Sequence, residues 1–518
     1  MTSVARVSAI ALSGLEGALI KVEGGVGRQL PGMNIVGLPD AALNEAKQRV
    51  RHAASASGLS LSERFVLINL QPADLPKHGS SFDLSIALAA LAALGFVPLK
   101  NLENTLHIGE LGLDGRVRKP RAFLASVVAA VRLGFVKIMV PSESAAEASL
   151  IPGAKIIAVD SLLGAVNWHR KKSEGWFTSS SLTADPDNEE TDKQDLENID
   201  ISEVVGQEEA VEALQIAAVG RHHIHMVGPP GAGKTMLAKA LPSILPDLSI
   251  EESITVSSLS TLNRASPLKR LVRRPPYENP HHTASAPSII GTAQGGWIRP
   301  GAVSLASYGV LFLDEAQEFP AAILDSLRQP LESGSVQIHR AVIKANLPAK
   351  VQLILASNPC PCGYGGSVKT VKSCICTPNQ QRRYRSKISG PLLDRIDIRL
   401  RVNRVSRVEV TPDINKKISL DIRAKVFEAR VAAASRFKET PWSVNSEIPG
   451  SVLRSKKYHP GLKATATLDR ALDIGNITLR GYDRTLRIAW SICDFQGSAV
   501  PTRDDVAVAL MLREEGAL

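Results

Sequence analysis

The sequence predicts an α/β chain: an N-terminal α+β domain, a central parallel sheet wrapped by helices, and a helical C-terminal domain. Three observations carry that reading. Short apolar runs alternate with helical segments through the middle of the chain, a run of carboxylates interrupts the sequence near residue 190, and long helical patterns dominate beyond about Val405. At 518 residues the chain also exceeds one ordinary core of about 100 to 200 residues, which fits a division into three.

Residues 4–22 and 65–70 read as strands, 41–56 and 82–94 as helices, and 136–140 as another strand, so residues 1–170 form the mixed first domain. Between 185 and 200 stand eight carboxylates and one lysine, preceded by the polar stretch 178–181. Little there can pack, and residues 171–200 are expected to be a linker. Over 201–404, the strand 223–227, the helix from Lys234 and the strands 310–313 and 351–356 follow the rhythm of a doubly covered parallel sheet. Residues 418–437, 462–472, 479–495 and 504–512 read as helices, giving 405–518 the character of a helical lid.

Composition narrows the class. With 44% hydrophobic and 22% charged residues the chain resembles soluble globular proteins, not fibrous or disordered ones. A formal charge of +10 favours an acidic partner such as nucleic acid. Five cysteines, four of them clustered, are too few for a disulfide framework, which points to a reducing compartment and a cytoplasmic protein. Glu16, Lys21 and Glu23 interrupt the first apolar stretch, so no secretory signal is expected. The apolar run 86–99 falls short of the roughly 20 residues that span a bilayer, and its alanine-rich pattern suits a buried helix; no membrane association is expected.

The string GPPGAGKT comprises Gly228, Pro229, Pro230, Gly231, Ala232, Gly233, Lys234 and Thr235, and lies between a predicted strand and a predicted helix. That is the context a phosphate loop requires: glycines let backbone N–H groups face phosphate, and the helix N-terminus adds positive potential. Lys234 would reach the β- and γ-phosphates and Thr235 would ligate magnesium. In GVLFLDE a buried strand ends in Asp314, expected to hold the magnesium shell, and Glu315, expected to activate the attacking water. Asn358 closes a further strand where its amide could bond the γ-phosphate or the water. Arg395 offers a guanidinium for a neighbouring subunit's phosphate, with a local pair to Asp394 or Asp397 as the alternative. ATP and Mg²⁺ are the expected cofactors.

These motifs, with SNPCPCG, SGPLLDRIDI and LRGYDRTLRIA in the same order, resemble the magnesium-chelatase-like AAA+ proteins. The N-terminal half, through VGLPDAALNEAKQRVRHA and LINLQPADLPKHGSSFDLSIALAAL, is similar to the YifB/ComM group in particular. The resemblance spans nearly the whole chain. It implies that Asn358 is sensor 1, Arg395 an arginine finger, Arg480 the sensor 2 arginine of the lid, and the assembly a ring, a hexamer. It also implies a helicase or branch-migration factor acting on single-stranded or branched DNA, in DNA uptake or recombination; the alternative is a magnesium-chelatase-like remodeller of a protein partner.

Residues 335–345, SVQIHRAVIKA, alternate like a hairpin where related helicases place a pore hairpin, with Arg340 at its tip, either a DNA contact or one exposed charge on a ribbon. PHHT, with His281 and His282, also resembles the family, without a chemical role that the sequence suggests. The first domain looks like the proteolytic domain of Lon, a ribosomal S5 domain 2-like fold, which raises an ATP-dependent peptidase. Ser81 lies near the nucleophile position, but the position of its lysine is filled by Arg118, which stays protonated and cannot serve as a base; Lys119 is next door. Finally, Cys360, Cys362, Cys374 and Cys376 follow a C-x-C, eleven residues, C-x-C pattern. It can supply four thiolates to one Zn²⁺ or stand as a reduced, redox-sensitive cluster. The basic run Arg382, Arg383, Arg385 and Lys387 follows it, a DNA-backbone contact or a solvated face.

Overall fold

The structure is a computed structural model that describes residues 4–37, 40–61, 64–72, 80–179, 199–263, 267–294, 297–340, 343–365, 373–405 and 418–514. Its first domain is an eight-stranded mixed sheet. The strands run in the order Trp176–Ser179, Lys155–Val159, Lys137–Pro141, Thr105–His107, Ala5–Ser13, Glu16–Gly27, Phe65–Gln71, Gly32–Val36. The stretch 4–22, expected as one strand, is two, because Gly14 takes a left-handed φ of +70° and folds Ala5–Ser13 back onto Glu16–Gly27. One apolar run hid a turn whose sole punctuation is Ser13-Gly14.

Both faces of that sheet are covered. Helix Asp83–Ala93 is buried almost throughout and packs with Val22, Ile68 and Leu70, while helix Phe123–Arg132 packs with Ile10, Ile138 and Ile156 on the other side. The alanine-rich helix lets the sheet approach closely: a Cβ on Gly24 would lie 2.3 Å from the Ala89 carbonyl oxygen. The domain also extends beyond residue 170. Trp176–Ser179 pairs antiparallel with Lys155–Val159, and Trp176 packs against the core, so the linker does not begin at 171. An edge strand needs one apolar anchor and tolerates polar Thr178 and Ser179, which is why its composition resembles a linker. Most of the acidic stretch, 180–198, lies outside the described residues.

The central domain holds five parallel strands in the order Tyr277–Glu278, Val310–Leu313, Gln352–Ser357, Ile224–Val227, Ile398–Arg401. Successive side chains point to opposite faces. Val310, Phe312, Ile354 and Ala356 join one apolar cluster, and Leu311, Leu313, Leu353 and Leu355 join another. Burial on both sides explains the uninterrupted apolar strands.

The helices expected as a lid are part of the first of those clusters. Ile422 and Val426 from Ser419–Arg436, Phe437 at its C-cap, and Leu486, Ala489 and Trp490 from Leu479–Gln496 pack with Ile224, Leu237 and Leu241 of the central domain. Arg430 donates two hydrogen bonds to the Ala218 carbonyl, at 3.0 and 2.6 Å, and Arg423 two to that of Ser243, at 3.0 and 2.7 Å. The opposite cluster carries the hairpin Ser335–Arg340 and Ile343–Pro348, anchored by Val336, Ile338, Ala345 and Leu347. Its second strand touches the first domain: Gly14 bridges Asn346 and Ser13 bonds the Lys344 carbonyl.

Candidate nucleotide site

Three adjacent parallel strands end side by side and deliver the residues the motifs single out. Ile224–Val227 leads into Gly228, Val310–Leu313 into Asp314 and Glu315, and Gln352–Ser357 into Asn358. The Gly228 N–H donates to the Ser357 carbonyl at 3.1 Å, fixing the loop to the strand that carries Asn358. Gly231 and Gly233 take φ of +73° and +92°, a backbone that a side chain would strain, and Lys234–Ile244 starts the helix at once. The first N–H groups of that helix have no carbonyl a turn behind them.

Lys234 is 8% exposed, and its Nζ donates to the Gly228 carbonyl at 2.6 Å, the Pro229 carbonyl at 3.1 Å and Asn358 Oδ1 at 3.2 Å. Burial lowers its pKa, while the Asp314 and Glu315 charges oppose that shift. The Thr235 hydroxyl donates to Asp314 Oδ2 at 2.9 Å, and Asp314 Oδ1 accepts the Glu315 N–H at 2.9 Å. The donor set fits a magnesium-bound phosphate. Thr235 and Asp314 converge as oxygen ligands of the kind Mg²⁺ prefers, and Lys234 with the glycine backbone supplies the positive field.

Glu315 occupies a left-handed conformation, φ +50°, which for a non-glycine residue stores strain of about 1–3 kcal/mol and clusters at functional sites. Its carboxylate lies 3.8 Å from His282 Nδ1, while the His282 ring packs at a tilt against His281, centroids 4.1 Å apart, and meets the Phe319 ring edge-on. PHHT thus lies beside the acidic pair. Other participants were invisible in the sequence. Gln207 Nε2 bridges the carbonyls of Ala232 at 3.2 Å and Asn403 at 2.6 Å, and Arg404 donates to the Pro230 carbonyl at 3.3 and 2.9 Å. Gln317 donates to the Asn358 carbonyl at 3.3 Å. The partners are far apart in sequence, so no local pattern could reveal them.

Arg395 and Arg480 lie elsewhere. Arg395 pairs with Glu332, neither Asp394 nor Asp397, and donates to the carbonyls of Arg328 at 3.1 Å and Pro391 at 2.6 Å. Asp397 is engaged by Arg484 and by His222 at 3.4 Å. Burial lowers the Arg395 pKa; Glu332 opposes this, and the charges of Arg328, Arg480 and Arg484 reinforce it. Arg480 is exposed in the first turn of Leu479–Gln496 and feels Arg395 electrostatically. Among the described residues no hydrogen bond or ion pair joins either arginine to the phosphate loop of its own chain.

Arg340 ends its strand opposite Ile343, and the turn 341–342 lies outside the described residues. In the first domain the serine–lysine dyad is not formed. Lys119 Nζ is engaged in an ion pair with buried Glu147 at 2.6 Å, while Arg118 pairs with Asp114 at 3.7 Å. It is Ser80, not Ser81, that bonds a carboxylate, Glu110. The four clustered cysteines converge: all four sulfurs lie within 4.8 Å of one another. Among the described residues no helix is long and apolar enough to cross a membrane.

Comparison with known proteins covers the same regions in order. Family profiles match for "Subunit ChlI of Mg-chelatase" over residues 22–144, "Magnesium chelatase, subunit ChlI" over 200–410 and "Magnesium chelatase, subunit ChlI C-terminal" over 416–513. An uncharacterised protein of Mycobacterium tuberculosis is 41% identical over 518 residues, 99% of each chain. YifB of Escherichia coli is 34% identical over 99% of this chain and 97% of its own. Competence protein ComM of Haemophilus influenzae is 33% identical, again over 99% and 97%.

Proposed function

The chain belongs to the YifB/ComM family of magnesium-chelatase-like proteins and is an AAA+ ATPase, and from that premise we propose that it is a cytoplasmic DNA motor, a hexameric ring that unwinds or branch-migrates DNA in uptake or recombination. The observation that carries the ATP chemistry is the convergence of Lys234 with Asn358 at 3.2 Å and of Thr235 with Asp314 at 2.9 Å on one edge of a parallel sheet. Magnesium, when bound to Thr235 and Asp314, supplies charge neutralisation on the phosphates. Lys234 and the loop N–H groups hold the phosphate chain, Glu315 orients the attacking water and takes its proton, and Asn358 fixes Lys234 from the far side. The four-cysteine knot is the candidate for Zn²⁺.

DNA as the partner rests on the similarity to ComM, the net charge of +10 and a hairpin rooted in the core with Arg340 next to its turn. A remodeller of a protein client is the second reading, favoured by the match to magnesium-chelatase subunits. A peptidase is not supported, because Lys119 is committed to Glu147.

Arg395 and Arg480, which among the described residues make no hydrogen bond or ion pair to their own loop, suit a site shared between subunits. If Arg395 acts on a neighbour's nucleotide, Lys234→Ala and Arg395→Ala are each inactive alone, yet an equimolar mixture recovers a measurable fraction of wild-type ATPase. An interface pairing an intact loop with an intact arginine forms only in the mixture. Activity in the mixture no higher than in either variant alone assigns Arg395 to its own chain, as the Glu332 pair in isolation would suggest.

A further inference from the structure

Cys360, Cys362, Cys374 and Cys376 are brought together from two segments, and the sulfur of Cys360 lies 3.3 Å from Cys362 and 3.6 Å from Cys374, with Cys362 3.6 Å from Cys374. We propose that these four thiolates bind one structural Zn²⁺, and that the ion splints the phosphate loop to the strand end carrying Asn358. A tetrahedral zinc with Zn–S of about 2.3 Å sets its sulfurs about 3.8 Å apart, so one ion enters this knot with sulfur separations changing by about 1 Å at most. A disulfide needs sulfurs about 2.0 Å apart, and all four cysteines are free. Iron–sulfur clusters interpose a second iron and sulfide, which spreads the thiolates more widely than one ion does.

The surroundings are those of a built metal site. Cys360 is buried, the Gly365 N–H donates to its sulfur at 3.1 Å, and Gln381 Nε2 reaches Cys374 Sγ at 3.5 Å and the Cys376 carbonyl at 3.4 Å. Such outer hydrogen bonds orient thiolates and temper their charge.

The knot also touches the nucleotide site on two sides. Gly363, φ +81°, presses on the phosphate loop so closely that a Cβ there would lie 2.5 Å from Pro230 Cδ. Tyr364 carries the Arg404 guanidinium 5.6 Å above its ring, and that guanidinium donates to the Pro230 carbonyl at 2.9 Å. Towards the other strand, Pro359 and Cys360 directly follow Asn358. The Tyr384 hydroxyl interacts with Asn358 and Glu318, and Arg385 donates to the Pro359 carbonyl at 3.4 Å. The segment 360–365 is too short to form a core of its own, and a metal is what holds such a loop rigid. The role of the splint rests on the reading of Lys234 and its neighbours as an ATP site; metal binding does not.

The test uses the full chain purified without chelators. Metal analysis is expected to find one zinc per chain, also in Glu315→Gln, and none in Cys374→Ser. Cobalt substitution is expected to give the intense visible bands of tetrahedral tetrathiolate Co²⁺. Wild-type protein that holds no zinc after incubation with Zn²⁺ and whose four clustered cysteines titrate as free thiols, apart from buried Cys493, overturns the metal site, whatever its ATPase. Chelation at unchanged circular dichroism is expected to weaken affinity for a fluorescent ATP analogue on the order of tenfold, with recovery on adding Zn²⁺. Tyr364→Ala, should the cysteine variant not fold, is expected to keep its zinc and still bind nucleotide several-fold more weakly. Nucleotide affinity unchanged by both treatments overturns the splint.

Discussion

Glu315→Gln is expected to lower ATP turnover by about 10²- to 10⁴-fold while nucleotide still binds, the range associated with losing a positioned general base. The substitution keeps the volume of the side chain, and Glu315 is 55% exposed, so no core is disturbed. Its strained backbone is imposed by the strand Val310–Leu313 and the Asp314 contact, which the variant retains. Only the basic oxygen is lost. Lys234→Ala should differ in kind: it removes the ammonium that three acceptors hold in place, and binding and turnover fall together. Phosphate release and fluorescent-nucleotide titration separate the two. A turnover number within threefold of wild type in Glu315→Gln would assign water activation to another residue.

Asp397→Asn is expected to destabilise the protein by about 3–5 kcal/mol at neutral pH, the cost of breaking a buried ion pair by removing one partner. Asp397 is 1% exposed, pairs with Arg484 and meets His222 Nδ1 at 3.4 Å and the His223 N–H at 3.2 Å. Burial alone would push this carboxyl up, but the Arg484 charge and the contacts with His222 and His223 hold it well below the usual carboxylate range. A depressed carboxylate contributes its full stability above the unfolded value of about 4, and loses it as pH falls from there through the folded pKa. Denaturant midpoints should therefore differ greatly between wild type and variant at pH 7 and converge towards pH 2. A loss below about 1 kcal/mol at pH 7, or a gap that does not narrow in acid, would contradict this assignment. Because Arg484 also donates to the Arg395 carbonyl at 2.9 Å, the same substitution loosens the segment proposed to face a neighbouring subunit.

What the sequence makes legible is what is local. GPPGAGKT and LFLDE are read from consecutive residues, because a loop between strand and helix has to be built from neighbours in the chain, and in the structure Lys234 meets Asn358 at 3.2 Å and Thr235 meets Asp314 at 2.9 Å. The hairpin was legible for the same reason: alternation over 335–345 is a local signature, and Val336, Ile338, Ala345 and Leu347 face the core. The partners that complete the site were not. Gln207 reaches residue 403, Arg404 reaches Pro230 and Arg395 finds Glu332, across separations that only the folded sheet defines. The edge strand Trp176–Ser179 has the composition of a linker because an edge strand pairs on one side only and tolerates polar residues. The cysteine pattern showed the number of thiols but not their convergence, which depends on how two loop segments meet.

The measurement that tests the central claim most directly is steady-state ATPase with and without single-stranded, duplex and forked DNA, in the intact protein and in Glu315→Gln, across a salt series. A DNA motor predicts strong stimulation that weakens steeply as salt rises, since phosphate contacts release counterions, and that Glu315→Gln abolishes. Robust, Glu315-dependent hydrolysis that no DNA alters at any salt concentration would contradict the account and direct the search to a protein client.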